Sequence, residues 1–172
     1  MDAMEAILGR RSIRKYTDQS VAEATLRELL AAAMAAPSAG NEQPWHFVVI
    51  DDRTILEAIT RVHPYAAALK EAPVAIVVCG DTGVEKHEGF WVQDCSAATQ
   101  NFLVAAHAKG LGTVWLGVHP DRERVGAIRK LVGLPASIVP LSIIALGHPA
   151  EHKEPAGRFD PTRIHVNRWQ KK

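Results

Sequence analysis

Arg10, Ser12 and Arg14 alternate along a basic segment, Arg10-Arg11-Ser12-Ile13-Arg14-Lys15. In extended backbone alternate side chains point the same way, so two guanidiniums and a hydroxyl would share one side. A guanidinium donates in a fork that matches phosphate oxygens, which makes that side a phosphate clamp. The other reading is a solvated loop between helices, the usual fate of a short basic run. A second group is Ala36-Pro37-Ser38-Ala39-Gly40-Asn41-Glu42-Gln43-Pro44-Trp45, crowded with turn formers and amides. Asn41 and Gln43 could hydrogen-bond the edge of a polar heterocycle, or serve only the turn. A third is Gly110-Leu111-Gly112-Thr113-Val114-Trp115-Leu116-Gly117-Val118. Its glycines precede a strand, whereas a dinucleotide fingerprint follows a strand and opens a helix. They fit a helix stop and then a strand whose end, at Gly117, lets backbone approach a flat ligand. Tight helix–strand packing would also explain them.

Other chemistries find little support. His148 and His152 have metal-like spacing, but Pro149 argues against a helix there, and no metal site is expected. No HExxH, GxSxG or P-loop pattern occurs. His46, His63, His87, His107, His119 and His165 are scattered and read as structural or exposed. No nucleophile or general base stands out, so no catalytic side chain is assigned. An enzyme whose cofactor does the chemistry needs none.

The elements that would position these groups follow from periodicity and punctuation. A short helix from Asp2 to Leu8 is expected to stop at Gly9. Ser20-x-x-Glu23 reads as a capping box for a second helix with Leu26, Leu29, Leu30, Ala33 and Met34 on its core face, closed by Pro37. Phe47–Ile50, Val74–Val78, Thr113–Leu116 and Leu141–Leu146 read as strands. Helices are expected around Leu56 and over Val125–Leu131, with a long central one from Phe90 to Lys109 ending at Gly110. From His148 onward the chain carries prolines and isolated large anchors, Phe159, Ile164, Val166 and Trp169. A disordered tail would lack such anchors, so residues 148–172 read as an extended arm lying on another surface.

The 172 residues fit one domain, 1–172, with 47% hydrophobic and 23% charged residues. A net charge of +1, from 20 basic against 19 acidic residues, gives no reason to expect nucleic-acid or membrane partners. The acids in MDAMEAILGRR do not suit a signal peptide and no run is long enough to span a bilayer. Cys79 and Cys95 form no CxxC or disulfide framework. A cytoplasmic protein is expected.

Taken in order, these segments resemble the nitroreductase family of FMN-dependent oxidoreductases. The resemblance runs from Arg10-x-Ser12-x-Arg14 through Pro37-Ser38-x-x-Asn41-x-Gln43-Pro44-Trp45, Gln100-Asn101 and Gly110-Leu111-Gly112-Thr113-x-Trp115-x-Gly117. It continues in Leu146-Gly147-His148-Pro149 and closes on Ile164-His165-x-Asn167-Arg168-Trp169. It implies an α+β fold with a mixed, mainly antiparallel central sheet flanked by helices. It also implies a homodimer that exchanges its C-terminal arms and builds two FMN sites at the interface. Carried over, Arg10, Ser12 and Arg14 resemble the phosphate and ribityl contacts, with Arg11 counted among the cofactor-binding residues. Arg158 resembles a late phosphate-binding base. Pro37, Ser38 and Asn41 would meet the flavin from the other subunit, and Leu116, Gly117 and Val118 would lie beside the isoalloxazine. The implied activity is ping-pong transfer of electrons from NAD(P)H to nitroaromatic, quinone or related small acceptors. An FMN sensor or store, or a reductive dehalogenase or flavin-fragmenting sibling, would use the same scaffold. The short stretch between Cys79 and Phe90, and Gly117-Val118 where some members carry an acid then glycine, leave the acceptor open.

Overall fold

Two strands are almost wholly apolar because both of their faces are covered. In the computed structural model, which describes residues 1–169, these are β2 (Val74–Asp81) and β4 (Ile138–Gly147). They pair antiparallel at the centre of a four-stranded sheet, with β1 (Trp45–Ile50) beside β2 and β3 (Gly112–Gly117) beside β4. The last three residues of the expected arm, 170–172, lie outside the described residues. The register slips between Val78 and Cys79, opposite Pro140, the kind of irregularity at which a strand tolerates proline. The four strands pair antiparallel throughout, and the parallel component of the expected mixed sheet is the isolated bridge of Ser12 with Thr113.

One face of the sheet, with Val77, Val114, Leu116 and Ile143, packs on α3 (Arg53–Val62) and α5 (Arg122–Val132) through Leu56, Ile59 and Ile128. The opposite face, with Ile76, Val78, Ile144 and Leu146, packs on α2 (Glu23–Met34) and α4 (Trp91–Ala108) through Leu29, Ala33, Ala98 and Phe102. Fully burying a Leu, Ile, Val or Phe side chain is worth about 1.5–3 kcal/mol, so these two layers dominate the stability. Gly80 faces the ring of Trp91 so closely that a Cβ there would lie 2.3 Å from its Cε3.

The termini of the helices differ in detail from expectation. The capping box belongs to α1 (Ala3–Gly9), where Asp2 accepts from the N–H of Glu5 and Glu5 reaches back to that of Asp2. The Ser20-x-x-Glu23 box does not form. Val21 is drawn against the core, α2 starts after Ala22 without a side-chain cap, and Glu23 pairs with Arg27. Met34, expected on the core face, is 52% exposed at the frayed last turn. Gly9 is the last residue of α1 rather than a left-handed stop; it makes room for His107, whose Nε2 would lie 2.9 Å from a Cβ. Gly110, in contrast, takes the expected left-handed conformation, φ +76°, after α4.

Gly112 is where the segment from Arg10 to Tyr16 passes over β3. A Cβ there would sit 2.7 Å from Ile13 Cγ2, and Ile13 is a stiff β-branched residue. Gly112→Ala is expected to push this segment off β3 and cost about 1–3 kcal/mol, measured as a lower urea midpoint at unchanged slope.

Candidate functional site

The N–H of Ile13 donates to the carbonyl of Thr113 at 2.9 Å, which fastens the basic segment to the start of β3. That bond shows that Thr113 turns its backbone polar groups to the outer edge of the sheet. Alternation along an antiparallel strand turns those of Trp115 and Gly117 outward as well. From Arg14 onward the segment leaves β3 and pairs instead with residues 148–150, through Thr17 N–H to His148 O and Ala150 N–H to Lys15 O, both 2.9 Å. The N–H groups of Trp115 and Gly117 therefore face an open edge, with no partner among the described residues.

Cations gather where this edge begins. Arg10, Gln100 and Arg158 line a cavity of about 460 Å³ together with Ile7, Leu8 and Phe159. Burial, then the charges of Arg11 and Arg158, lower the pKa of Arg10. His107 is lowered by its own burial and then by Arg10 and Arg11. Among the described residues no carboxylate forms an ion pair with Arg10, Arg14 or Arg158. Arg11 is occupied otherwise. Its guanidinium donates to the carbonyls of Glu154, Arg10 and Leu8 at 2.8, 2.7 and 3.2 Å, tying the start of the arm to α1. Ser12 is half-buried, and its carbonyl accepts from Lys153 Nζ at 2.9 Å. Glu151 accepts from the N–H of Arg14 at 2.6 Å and pairs with Lys153 at 2.9 Å.

The loop after α2 lies at the other end of the sheet, where β1 begins. Gly40, Asn41 and Gln43 all have positive φ, 54°, 55° and 50°. Such backbone persists in non-glycine residues only when its surroundings hold it, and it concentrates at functional sites. Here Ser38 Oγ accepts from the N–H of Gln43 at 3.0 Å, and the buried Asp94 accepts from the N–H of Ala39 at 3.1 Å. Glu42 Oε1 accepts from the N–H groups of Lys86 and His87 at 3.0 and 3.1 Å. Gln43 donates its amide to Asn41 Oδ1 at 3.0 Å, so these two amides bond each other and leave the Asn41 NH2 turned to solvent or a ligand.

The structure thus brings Arg10, Arg11 and Arg158 together and sets Ser12 against β3, whose far end carries Leu116, Gly117 and Val118. It does not bring Pro37, Ser38 and Asn41 to them within one chain. Gly117 pairs with Ser142 and Trp45 with Gly80, so the loop stands at the same end of the sheet as Gly117 but at the opposite edge. The cations are at the diagonal corner, on the order of 20 Å from the loop by strand spacing and rise. Asp94 was not singled out in sequence, and His63 was read only as structural or exposed. Asp94 was legible as a carboxylate on the apolar face of a helix, between Trp91 and Ala98. His63 gave no signal in sequence, because its partner, the carbonyl of Gly117 at 2.8 Å, is 54 positions away. Among the described residues no helix is long and apolar enough to cross a membrane.

The model of the nitroreductase family matches residues 7–67 and 60–148. A protein of Methanothermobacter thermautotrophicus, whose name offers NADH dehydrogenase and NAD(P)H nitroreductase as its activities, is 54% identical over 98% of this chain and 88% of its own. A crystal structure from Parabacteroides distasonis, named for the same two activities, superposes with a TM-score of 0.94 at 42% identity, covering 97% of this chain and 98% of the other. A candidate nitroreductase from Desulfovibrio desulfuricans, crystallised in complex with FMN, gives a TM-score of 0.85 at 33% identity, with 99% of both chains covered.

The latch at Glu151 has a pH signature. The N–H of Arg14, then the ammonium of Lys153, hold its carboxyl below the ordinary glutamate range. A depressed folded pKa stabilises above the unfolded value, about 4.3, and the contribution disappears as pH falls through the folded value. Thermal melts should show Glu151→Gln less stable than the parent at pH 7. The gap should close as pH falls below about 4.

Proposed function

Because this chain belongs to the nitroreductase family, we propose that it is an FMN-dependent oxidoreductase carrying electrons from NAD(P)H to small organic acceptors such as nitroaromatics or quinones. The observation that carries this reading is the open edge of β3 with a cluster of unpaired guanidiniums at its start. Cations crowded together without carboxylates repel one another, and an anion relieves them. Arg10, Arg14 and Arg158 would hold a terminal phosphate, with Ser12 beside it, and Arg11 would keep the arm in place. The outward N–H groups of Trp115 and Gly117 suit the carbonyls and ring nitrogens of a flat heterocycle. Leu116 and Val118 are buried on the other side of the strand and fix the height of that edge. When bound, the flavin supplies storage for the electron pair that passes from NAD(P)H to the acceptor.

One exposed strand end serves both substrates in this reading, so they take turns and the cycle is ping-pong. The test is titration of the purified protein with FMN and FAD, followed by steady-state turnover with NAD(P)H. FMN should bind more tightly than FAD, because the clamp suits a monophosphate. Arg14→Ala should weaken FMN by about 1.5–3 kcal/mol, roughly ten- to a hundredfold. Double-reciprocal lines should be parallel; intersecting lines would rule out turn-taking, and FMN binding without turnover would point to a sensor or store.

A homodimer with a shared site completes the reading. The loop of Pro37, Ser38 and Asn41 can meet a ligand held by Arg10 and Arg14 only if it comes from a second copy, given the diagonal separation within one chain. The arm supports this. Phe159 and Trp169 are each 81% exposed, and Ile164, Val166, Met4, Ile7 and Leu8 are exposed too. These apolar groups await a surface that the chain does not offer itself. Removing the residues after Gly157 should therefore convert a flavin-bound dimer into a monomer that releases flavin, read by sedimentation velocity at 280 and 450 nm. A stable, flavin-loaded truncated monomer would sink the shared site.

A further inference from the structure

His63 follows α3 and is 1% exposed, with its imidazole ring edge-on to that of Tyr65. Burying it costs free energy unless both ring nitrogens are satisfied. They are. Nε2 lies 2.8 Å from the carbonyl oxygen of Gly117, and Nδ1 faces the N–H of Tyr65 at 3.3 Å. A carbonyl can only accept and an N–H can only donate, so the ring carries its proton on Nε2. The same carbonyl accepts a second bond, from Arg124 Nη1 at 3.3 Å. Arg124 is in turn steadied by Asp121 at 3.2 Å and lies over the ring of Tyr65, 5.4 Å from its centroid.

Gly117 needs such an anchor. It is the last residue of the edge strand, it has no side chain to pack, and a Cβ there would meet nothing within 4 Å. A glycine has wider backbone freedom than any other residue type. The peptide that follows Gly117 is held on one side by the N–H of Val118, which donates to the Leu141 carbonyl at 3.0 Å, and on the other by the donors to the Gly117 carbonyl. We propose that His63, with Arg124 in support, is a positioning residue for the cofactor site. By donating to the Gly117 carbonyl from beneath the sheet it sets the backbone against which the flavin ring lies. This rests on the FMN reading above; the hydrogen bond itself does not. The bond also polarises the peptide that follows Gly117, so the electronic setting of the ring should respond, as well as its seat.

The test compares the FMN-loaded parent with His63→Leu and His63→Gln. His63→Leu removes the donor. It should weaken FMN roughly tenfold, the effect of one lost hydrogen bond, and shift both the visible absorption bands and the midpoint potential of the bound flavin. His63→Gln can still donate to Gly117 and should restore bands and potential even if its melting temperature stays low. Ile59→Val, a cavity in the helix that carries His63, should lower the melting temperature and move neither. If His63→Leu does not fold, Arg124→Leu, which removes the supporting donor together with its contacts to Asp121 and Tyr65, should still move bands and potential away from the parent; parent-like values there would overturn the inference. Nitrogen-15 NMR of the apoprotein should show the His63 ring proton on Nε2, with Nδ1 accepting. Parent-like bands and potential in folded His63→Leu, or a proton on Nδ1, would overturn the inference while leaving the FMN reading intact. Failure of the parent to bind FMN at all would overturn both.

Discussion

The bond between the N–H of Ile13 and the carbonyl of Thr113 governs the architecture of the site. It occupies the first part of the β3 edge and no more. An exposed sheet edge invites pairing with another chain, and proteins generally cover it. Here the covering segment turns away at Arg14, so the edge is interrupted rather than closed. Everything placed near that interruption is held by a contact from elsewhere. Lys153 and Glu151 hold the departing segment, His63 and Arg124 hold the strand's end, and Arg11 holds the chain that returns past α1.

Charge is arranged on the same principle. The carboxylates close to the basic segment, Glu71 and Glu151, are engaged by backbone N–H groups of Tyr16 and Arg14 and by Lys15 and Lys153. They fasten the strand-like turn and leave Arg10, Arg14 and Arg158 without a carboxylate partner among the described residues. Burial already disfavours the charge on Arg10, and its neighbours disfavour it further. Holding Arg10 partly buried beside Arg11 and Arg158 makes sense where an anion joins the assembly.

Much of this was legible in the sequence. The strands at β2 and β4 follow from short apolar, β-branched runs, and the long helix α4 from an Ala-rich stretch and the glycine that stops it. The arm's large side chains, scattered without period, read as anchors for another surface, and in the single chain they are exposed. The grouping of Arg10 with Arg158 came only from the family resemblance, since nothing local links positions so far apart. What was not legible depends on tertiary contacts. Val21 packs into the core and moves the start of α2 past the apparent capping box. Gly9 reads as a stop signal but serves the fit of His107. His63 is a lone histidine after a helix, and only the folded chain reveals which carbonyl it meets.

Gly80 and Trp91 illustrate a different kind of dependence. With a Cβ excluded by the indole at 2.3 Å, no other amino acid fits position 80 while tryptophan stands at 91. The indole in turn lies edge-on to His119, centroids 4.9 Å apart, in the turn that follows β3. A drift from tryptophan to a smaller side chain would open room at position 80 and remove the prop beneath His119 together. The order of change is therefore fixed: position 91 must shrink before position 80 can gain a side chain. Homologous sequences should include glycine at 80 with a smaller residue at 91, but not tryptophan at 91 with a side chain at 80. The path by which the turn after β3 diversifies is channelled by a single absent methyl group.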